Sequence, residues 1–213
     1  MIKQFFDQLK ETADRLYKEQ KDELHSLVFA LGKLQRDNGR LFILGVGGSA
    51  ANASHAVNDF RKLTGIESYA FDNLAEITAR TNDEGWESVF EGWLRVNNLT
   101  SHDAILVFSV GGGNEEKKVS VNIVNAIKYA KTRQCQIWGI VGRDGGYTKK
   151  AADICVVIPT VNEYLVTPFV ESFQAIIWHM LVFHPDLQVY SGKWESLKYD
   201  FSPEYLILYM QDT

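Results

Sequence analysis

Two pairs of ionisable side chains have spacings that could serve chemistry. His55 and Asp59 stand four residues apart on a predicted helix, so both face the same side of it. Glu171 and His179 are eight residues apart, two helical turns, on an unusually apolar helix predicted over 166–183. Ionisable groups on so apolar a helix need partners. The four suit a divalent metal, usually zinc for mixed nitrogen and oxygen ligands. They equally suit an acid/base pair that moves a proton between adjacent carbons.

Three glycine-rich turns could bind an anionic group. They lie at 45–49 (Gly-Val-Gly-Gly-Ser), 111–113 (Gly-Gly-Gly) and 142–146 (Gly-Arg-Asp-Gly-Gly), each after an apolar run. Bare backbone amides and the positive end of the following helix would attract an anion. Ser49, Ser109 and Asn114 could add side-chain donors. A single turn of this kind is explained by chain reversal alone, whereas three at strand ends favour a ligand.

The first turn also permits a different ligand. Gly45-x-Gly47-x-x-Ala50 satisfies the relaxed dinucleotide fingerprint, and Asp72 follows the second apolar run, where a ribose-binding acid could lie. Asp72 is about 25 residues beyond Gly47 rather than the usual 20 or so. Nicotinamide binding therefore remains an alternative at this point.

The elements that must position these groups alternate along the chain. Apolar runs predict strands at 41–44, 68–71, 104–108, 136–141 and 154–158, and helical stretches are predicted at 49–63, 85–97, 118–132 and 166–183. This alternation predicts an α/β fold with a parallel sheet and helices on both faces. Ligands of such sheets bind at the carboxyl ends of the strands, where the glycine turns lie.

Both ends of the chain carry apolar patterns. Residues 1–37 have a helical apolar stripe, which favours core packing and a subunit interface equally. Residues 185–213 hold too many large apolar groups for a free tail. We expect this C-terminal extension to pack on the body or on a neighbouring subunit, with an active-site lid as the alternative. One domain would then span 1–184.

Composition excludes several classes of protein. The 213 residues include 46% hydrophobic and 23% charged residues, typical of a folded domain. A net charge of −5 argues against a general nucleic-acid binder. Cys135 and Cys155 lie in apolar runs, as reduced core thiols do. The N-terminus lacks a signal-like apolar stretch and no run approaches membrane-spanning length, so we expect a cytoplasmic protein with no membrane partner.

Taken in order, these motifs resemble the sugar isomerase (SIS) domain of phosphoheptose isomerases. The resemblance rests on the Gly-x-Gly-Gly-Ser turn, Ala53-Ser54-His55 with Asp59-Phe60, Asn82-Asp83-Glu84-Gly85-Trp86, Val107-Phe108-Ser109 with its glycines, Gly142-Arg143-Asp144-Gly145-Gly146, and the helix with Glu171, Phe173-Gln174 and His179. It covers about residues 1–184. It implies a three-layer domain with a five-stranded parallel sheet, N-terminal helices, and a homotetramer with active sites between subunits.

The resemblance also implies an activity and a set of site residues. The family's phosphoheptose isomerases convert sedoheptulose 7-phosphate to a glycero-manno-heptose 7-phosphate, commonly with zinc bound. The implied metal and acid/base residues are His55, Asp59, Glu171 and His179; the implied substrate-binding residues are Gly47, Gly48, Ser49, Ser109, Gly111, Gly112, Gly113 and Asn114, with Asp83 near the sugar. Within this set we assign Asp59 as base and His179 as acid, with His55 and Glu171 as metal ligands. A permutation of these roles among the four stays open, because a carboxylate bound to a metal is a poorer base.

Four departures from the family pattern indicate a divergent subgroup. Val46 replaces an asparagine, and the second turn, 109–114, loses most of the hydroxyl donors that the family has there. Asp59 replaces a glutamate, and Glu171 replaces a glutamine. The added carboxylate should favour a bound divalent cation, because clustered carboxylates otherwise raise each other's pKa. The lost hydroxyls favour the alternative of a non-catalytic sugar-phosphate sensor or oligomeric scaffold.

Overall fold

A five-stranded, wholly parallel sheet forms the middle layer of the protein. The computed structural model describes residues 1–196. The strands are β1 (Leu41–Leu44), β2 (Ser68–Ala70), β3 (Ala104–Ser109), β4 (Gln136–Val141) and β5 (Ile154–Val157), in the order β2-β1-β3-β4-β5. Every residue of β1 and β3 is buried, as expected where helices cover both faces. The chain builds outward in opposite directions from β1 and β3, so the topological switch point lies between them. The predicted fold class is confirmed.

Helices cover both faces of this sheet. They are α1 (Ile2–Arg36), α2 (Gly48–Asp59), α3 (Leu74–Glu84), α4 (Val89–Val96), α5 (Val121–Thr132), α6 (Gly146–Ala151), α7 (Val166–Val182) and α8 (Lys193–Ser196). A short π-helical turn, Phe60–Thr64, extends α2. One core cluster joins α1, α2 and α7 to one face of the sheet, and a second joins α4 and α5 to the other. The shared layer of α2 and α7 is what positions the ionisable pairs.

The N-terminal segment is one uninterrupted helix rather than the several helices expected. The C-terminal half of α1 packs into the core, where Leu27 and Leu31 are fully buried. Its N-terminal half leaves Phe6 and Tyr17 exposed. The apolar stripe of 1–37 therefore serves the core directly over part of its length.

Helix α3 was not predicted from the sequence, because its residues form no apolar stripe. None of its residues is buried. It is held instead by its N-cap, since the Asn73 side chain accepts hydrogen bonds from the amides of Ala75 and Glu76. Ion pairs from Arg80 to Glu76 and Glu84 add i,i+4 contacts along its surface. Such local stabilisation leaves no period of hydrophobicity to detect.

The expectation that no segment approaches membrane-spanning length is corrected by Glu163–Val182, the segment that contains α7. Within residues 1–196 it is the one helical segment whose length and composition would suffice to cross a membrane. Half of it is buried inside the domain, where α7 packs beside α2, as a core helix does. This test of length and composition is therefore weak support for a membrane span.

The first part of the expected C-terminal extension packs on the body. Leu187 is buried, and the amides of Val189 and Tyr190 donate to the carbonyl of Leu63. The Gln35 side chain donates to the Leu187 carbonyl from α1. The rest of the predicted extension, 197–213, lies outside the described residues.

Candidate active site

Helices α2 and α7 run side by side in the same direction. Two buried alanines on α2, Ala53 and Ala56, allow close approach. The Asn52 side chain donates to the Glu171 carbonyl at 2.8 Å and to Gln174 Oε1 at 3.1 Å. Gln174 is fully buried, so these hydrogen bonds fix the relative register of the helices in a region with little access to water.

This register brings together three of the predicted residues from two distant parts of the chain. Asp59 Oδ2 lies 3.7 Å from His55 Nε2 and 3.8 Å from His179 Nε2. One potential ligand atom from each residue lies within 4.8 Å of the other two. The Asp59 side chain is only 14% exposed, whereas both imidazoles reach solvent. The three form a half-open cluster, which we call the His–Asp–His cluster.

Neighbouring groups orient both imidazoles. His179 Nδ1 lies 2.7 Å from the Ala175 carbonyl oxygen, so we assign the ring hydrogen to Nδ1. Nε2 of the neutral ring is then an acceptor directed at Asp59. The buried Trp178 ring packs against both histidines, with centroids 4.7 Å from His55 and 3.5 Å from His179. Asp59 Oδ1 accepts a hydrogen bond from Asn58, which leaves Oδ2 facing the histidines.

The donor set of this cluster fits a zinc ion. Two imidazole nitrogens and one carboxylate oxygen are ligand types that zinc accepts, and catalytic zinc sites commonly use three protein ligands. A hydrogen bond from the second ring nitrogen to a backbone carbonyl, as His179 makes to Ala175, is the usual support for a metal-bound histidine. The cluster therefore has both the ligand atoms and one of the supporting contacts of a metal site.

Glu171 does not join this cluster. Two helical turns separate it from His179, which is about 12 Å along the axis of α7. Its carboxylate instead lies against Gly48, where a Cβ would come within 2.4 Å of Glu171 Oε2. The four-residue ligand set expected from the sequence is thus reduced to three within the described subunit. Two residues that are eight positions apart lie on the same face of a helix but two turns apart along its axis.

The second glycine turn opens onto a cavity of about 740 Å³. Among the predicted substrate residues, Ser109, Gly111, Gly113 and Asn114 line it, and Val46 borders it from the first turn. Ser109 Oγ accepts a hydrogen bond from the Gly112 amide at 3.0 Å, and Asn114 Oδ1 accepts one from the Lys117 amide at 2.8 Å. The oxygens are used to shape the turn, while the hydroxyl hydrogen and the Asn114 amide group remain as donors.

The third turn braces the second rather than forming an anion site of its own. The amides of Tyr147 and Thr148, in the first turn of α6, donate to the carbonyls of Gly113 and Gly112. A Cβ at Gly112 would lie 1.9 Å from the Gly145 carbonyl oxygen, so only glycine permits this approach. The expectation that all three turns hold anions is corrected here: the amides of α6 are occupied by neighbouring carbonyls.

Sequence reasoning did not assign two cationic residues of the cavity, Lys117 and Arg143. Arg143 belongs to the Gly-Arg-Asp-Gly-Gly motif, and its side chain passes over Gly111, with Cδ 3.5 Å from where a Cβ there would stand. The separate sequences of the second and third turns do not show that these turns pack against each other, so Arg143 could not be assigned to the cavity from the sequence.

Other predicted residues lie away from the cavity and the His–Asp–His cluster. Gly47 and Gly48 are exposed at the start of α2, but Ser49 is only 1% exposed, so its hydroxyl does not face an incoming ligand. Asp83 is exposed at the end of α3, on the opposite face of the sheet from α2, and accepts a hydrogen bond from Asn82. Asp72, the candidate ribose acid, lies 3.5 Å from the Ser54 hydroxyl.

The sequence matches the profile of the SIS domain over residues 4–142. The chain belongs to the SIS-domain family. Its SIS domain is 32% identical over 148 residues to the phosphoheptose isomerase of Trichlorobacter lovleyi, covering 67% of this chain and 70% of that one. It is 33% identical over 154 residues to the lincomycin biosynthesis protein LmbN of Streptomyces lincolnensis, covering 67% of this chain. The match spans 54% of LmbN, about half its length.

Solved structures show the same SIS fold. The phosphoheptose isomerase of Neisseria gonorrhoeae superposes with a TM-score of 0.74 at 21% identity, over 85% of this chain and 94% of that one. The resemblance drawn from the motifs is therefore confirmed at the level of family and fold.

Proposed function

We propose that this protein is a sugar-phosphate isomerase that interconverts a ketose phosphate and an aldose phosphate, with sedoheptulose 7-phosphate and glycero-manno-heptose 7-phosphate as the pair to test first. The observation that carries the proposal is the His–Asp–His cluster, which joins a carboxylate and two imidazoles across α2 and α7. Relatives named phosphoheptose isomerase support the choice of substrate.

The cluster contains the groups that this reaction needs. Exchange of a ketose and an aldose removes a proton from C1 and delivers one to C2 through an enediol. Asp59 Oδ2 would accept the first proton as general base. His179 would act as acid from Nε2 only in its doubly protonated form, because the Nδ1 hydrogen is held by the Ala175 carbonyl. A divalent ion held by His55, Asp59 and His179 would supply Lewis-acid stabilisation of negative charge on the sugar oxygens. With such an ion bound, His179 Nε2 and Asp59 Oδ2 would be ligands, so each of these atoms serves either the ion or the proton transfer and not both at once.

The layout of α2 suits a long sugar with its phosphate at the far end from its carbonyl. His55 lies seven residues after Gly48, about 10 Å along the helix. Val46, just before that glycine, borders the cavity of the second turn. A substrate that spans from the cavity to the cluster would keep its phosphate away from the reacting carbons, as in a heptulose 7-phosphate.

We further propose a cytoplasmic homo-oligomer, a tetramer by analogy with the family, in which 1–184 form the SIS domain. Ile176 and Met180 on α7 and Phe183 at its C-cap are exposed apolar side chains, and they support a contact between subunits near the cluster. The molar mass in solution, from light scattering on the full chain, tests this part: 24.2 kDa at micromolar concentration would contradict it.

Isotope exchange tests the reaction itself. Zinc-loaded protein is incubated with sedoheptulose 7-phosphate in heavy water, and we expect deuterium at C2 of an aldose product. Asp59→Asn should lower the rate by 10²-fold or more, roughly the contribution of a general base. Asp72→Asn, an exposed carboxylate nearby, is the matched control and should retain the rate.

The same experiment separates the alternatives. Tight binding of the sugar phosphate without exchange or product would overturn the isomerase for this substrate and favour a non-catalytic sensor. A nicotinamide-dependent enzyme would instead quench or shift the fluorescence of the five tryptophans on titration with the dinucleotide. Exchange in the absence of any dinucleotide contradicts that reading.

A further inference from the structure

We propose that Lys117 and Arg143 hold the substrate phosphate in the cavity beyond β3, and that the anion position at the first glycine turn is occupied by the protein's own Glu171. The inference rests on the proposed function, since it assumes a phosphorylated substrate. It selects the second of the glycine turns that the sequence offered for an anion, and it names the side chains that provide the positive charge.

Backbone conformation singles out this cavity. Within the described chain, six residues other than glycine have positive φ. Three of them, Asn38, Asn98 and Gln134, directly follow the C-caps of α1, α4 and α5, where a left-handed residue commonly ends a helix.

The other three are Lys118 with φ 53°, Ser120 with φ 49°, which is the N-cap of α5, and Arg143 with φ 54°. Ser120 and Arg143 line the cavity, whereas Lys118 lies in the short turn closed by the bridge between Asn114 and Val119. Arg143 is the cavity residue whose left-handed conformation neither a helix end nor this turn explains, and such conformations are concentrated at functional sites. Arg143 and Lys117 are the two cationic residues that line the cavity.

Charge supports the same assignment. The ion pairs of residues 1–196 involve neither Lys117 nor Arg143, so both cations remain available for a ligand. Two acids, Asp144 and Glu163, also line the cavity. Asp144 Oδ1 is engaged by the Gly146 amide at 3.1 Å. Carboxylates beside the cations would accept hydrogen bonds from sugar hydroxyls rather than approach a phosphate.

The second turn by itself offers few donors to a phosphate dianion. Val110 and the three glycines have no polar side chains, and the Ser109 hydroxyl oxygen already accepts from Gly112. A guanidinium that can bind two phosphate oxygens at once, together with an ammonium that lines the same cavity, compensates for this shortage.

The first turn already contains an anion. Gly47 caps α2, and the amides of Ala50 and Ala51 donate to its carbonyl, so the amides of Gly48 and Ser49 stand at the open, positive end of the helix. The Glu171 carboxylate lies against Gly48 at this end. A phosphate placed there would meet a carboxylate of like charge, which disfavours it.

Phosphate binding by the full-length protein tests the inference. Titration calorimetry with inorganic phosphate and with sedoheptulose 7-phosphate is compared for wild type, Lys117→Gln, Arg143→Gln and Lys150→Gln. We expect roughly tenfold weaker binding for each of the first two, the size expected for loss of one charge-assisted contact. Lys150→Gln removes the same charge from the exposed end of α6 and should bind like wild type.

Two further variants keep the test decisive. Arg143→Lys preserves the charge at the strained position and should bind clearly more tightly than Arg143→Gln, which separates loss of charge from damage to the turn. Glu171→Gln should change phosphate affinity by about twofold or less. If Glu171→Gln instead tightened phosphate binding tenfold while Lys117→Gln and Arg143→Gln had no effect, the phosphate would lie at the first turn and the inference would be overturned.

Isotope exchange by the wild-type protein distinguishes this inference from the proposed function. If the two cation variants lost phosphate binding and the wild-type protein showed no exchange, the phosphate site would be supported and the proposed isomerase activity would be contradicted. If both variants showed normal exchange, unchanged phosphate affinity and unchanged KM, the proposed isomerase activity would be supported and the phosphate site would be contradicted.

Discussion

The carboxylate of Glu171 lies against Gly48, the first residue of α2, and closes the turn that the sequence suggested for phosphate. Two glycines of this turn are crowded to a similar degree but by different atoms. A Cβ at Gly48 would meet the mobile end of the Glu171 side chain at 2.4 Å, whereas a Cβ at Gly45 would meet the backbone oxygen of Ser49 at 2.3 Å.

This difference predicts the effects of two substitutions. Gly45→Ala should lower the free energy of unfolding by about 2 kcal/mol, because the helix backbone cannot yield without distortion. Gly48→Ala should change it by less than about 1 kcal/mol, since the carboxylate can swing aside and alanine favours the helix. Urea denaturation of both variants checks this, and equal costs would contradict the geometry.

Metal content should follow the His–Asp–His cluster and not the four-residue set. His55→Ala, Asp59→Asn and His179→Ala should each reduce the zinc bound per chain by tenfold or more under limiting metal, since each removes one of three ligands. Glu171→Gln should retain it. Elemental analysis after dialysis measures the content, with His25→Ala, an exposed histidine on α1, as control. Full zinc in His55→Ala would contradict the assignment.

Asp103 should make the fold sensitive to acid. It accepts hydrogen bonds from the Arg40 side chain at 2.7 and 2.9 Å and from Thr100. Burial alone would raise the pKa of Asp103, but these bonds outweigh it and hold the pKa below its ordinary value. A lowered pKa stabilises the fold above the unfolded value, near 4, and that stabilisation is lost as the pH falls through the folded value.

Asp103→Asn should therefore cost about 3 kcal/mol near neutral pH, because it leaves Arg40 without its buried partner. The variant should also lose less stability than wild type between about pH 5 and pH 2. Denaturation measured across that range, with the exposed Asp14→Asn as control, checks both parts. Parallel pH profiles for wild type and Asp103→Asn would show that the ion pair does not act this way.

The two cysteines should be inert in the folded protein. Burial raises the pKa of the Cys135 and Cys155 thiols to about 12, so almost no thiolate exists near neutral pH. Ellman's reagent at pH 8 should leave both unmodified in buffer and label both in denaturant. Rapid labelling of one thiol per folded chain would contradict the burial found for that residue.

The sequence by itself determined the sheet, the core helices and one local relationship in the site. Short continuous apolar runs that alternate with helical stretches are typical of buried parallel strands. The four-residue spacing of His55 and Asp59 places both on one face of a helix. Motif order was enough to indicate the family. Helix α3 could not be predicted from the sequence, because a cap and surface ion pairs stabilise it without an apolar stripe.

Tertiary structure alone decided which distant groups meet. The register of α2 against α7, set by Asn52 and two small alanines, brings His179 to Asp59 and leaves Glu171 two turns away, at the start of α2. The packing of the third glycine turn on the second places Arg143 in the cavity. Sequence periodicity fixes the face on which a side chain lies, whereas contacts between elements fix its position along that face, and the chemistry of the site depends on both.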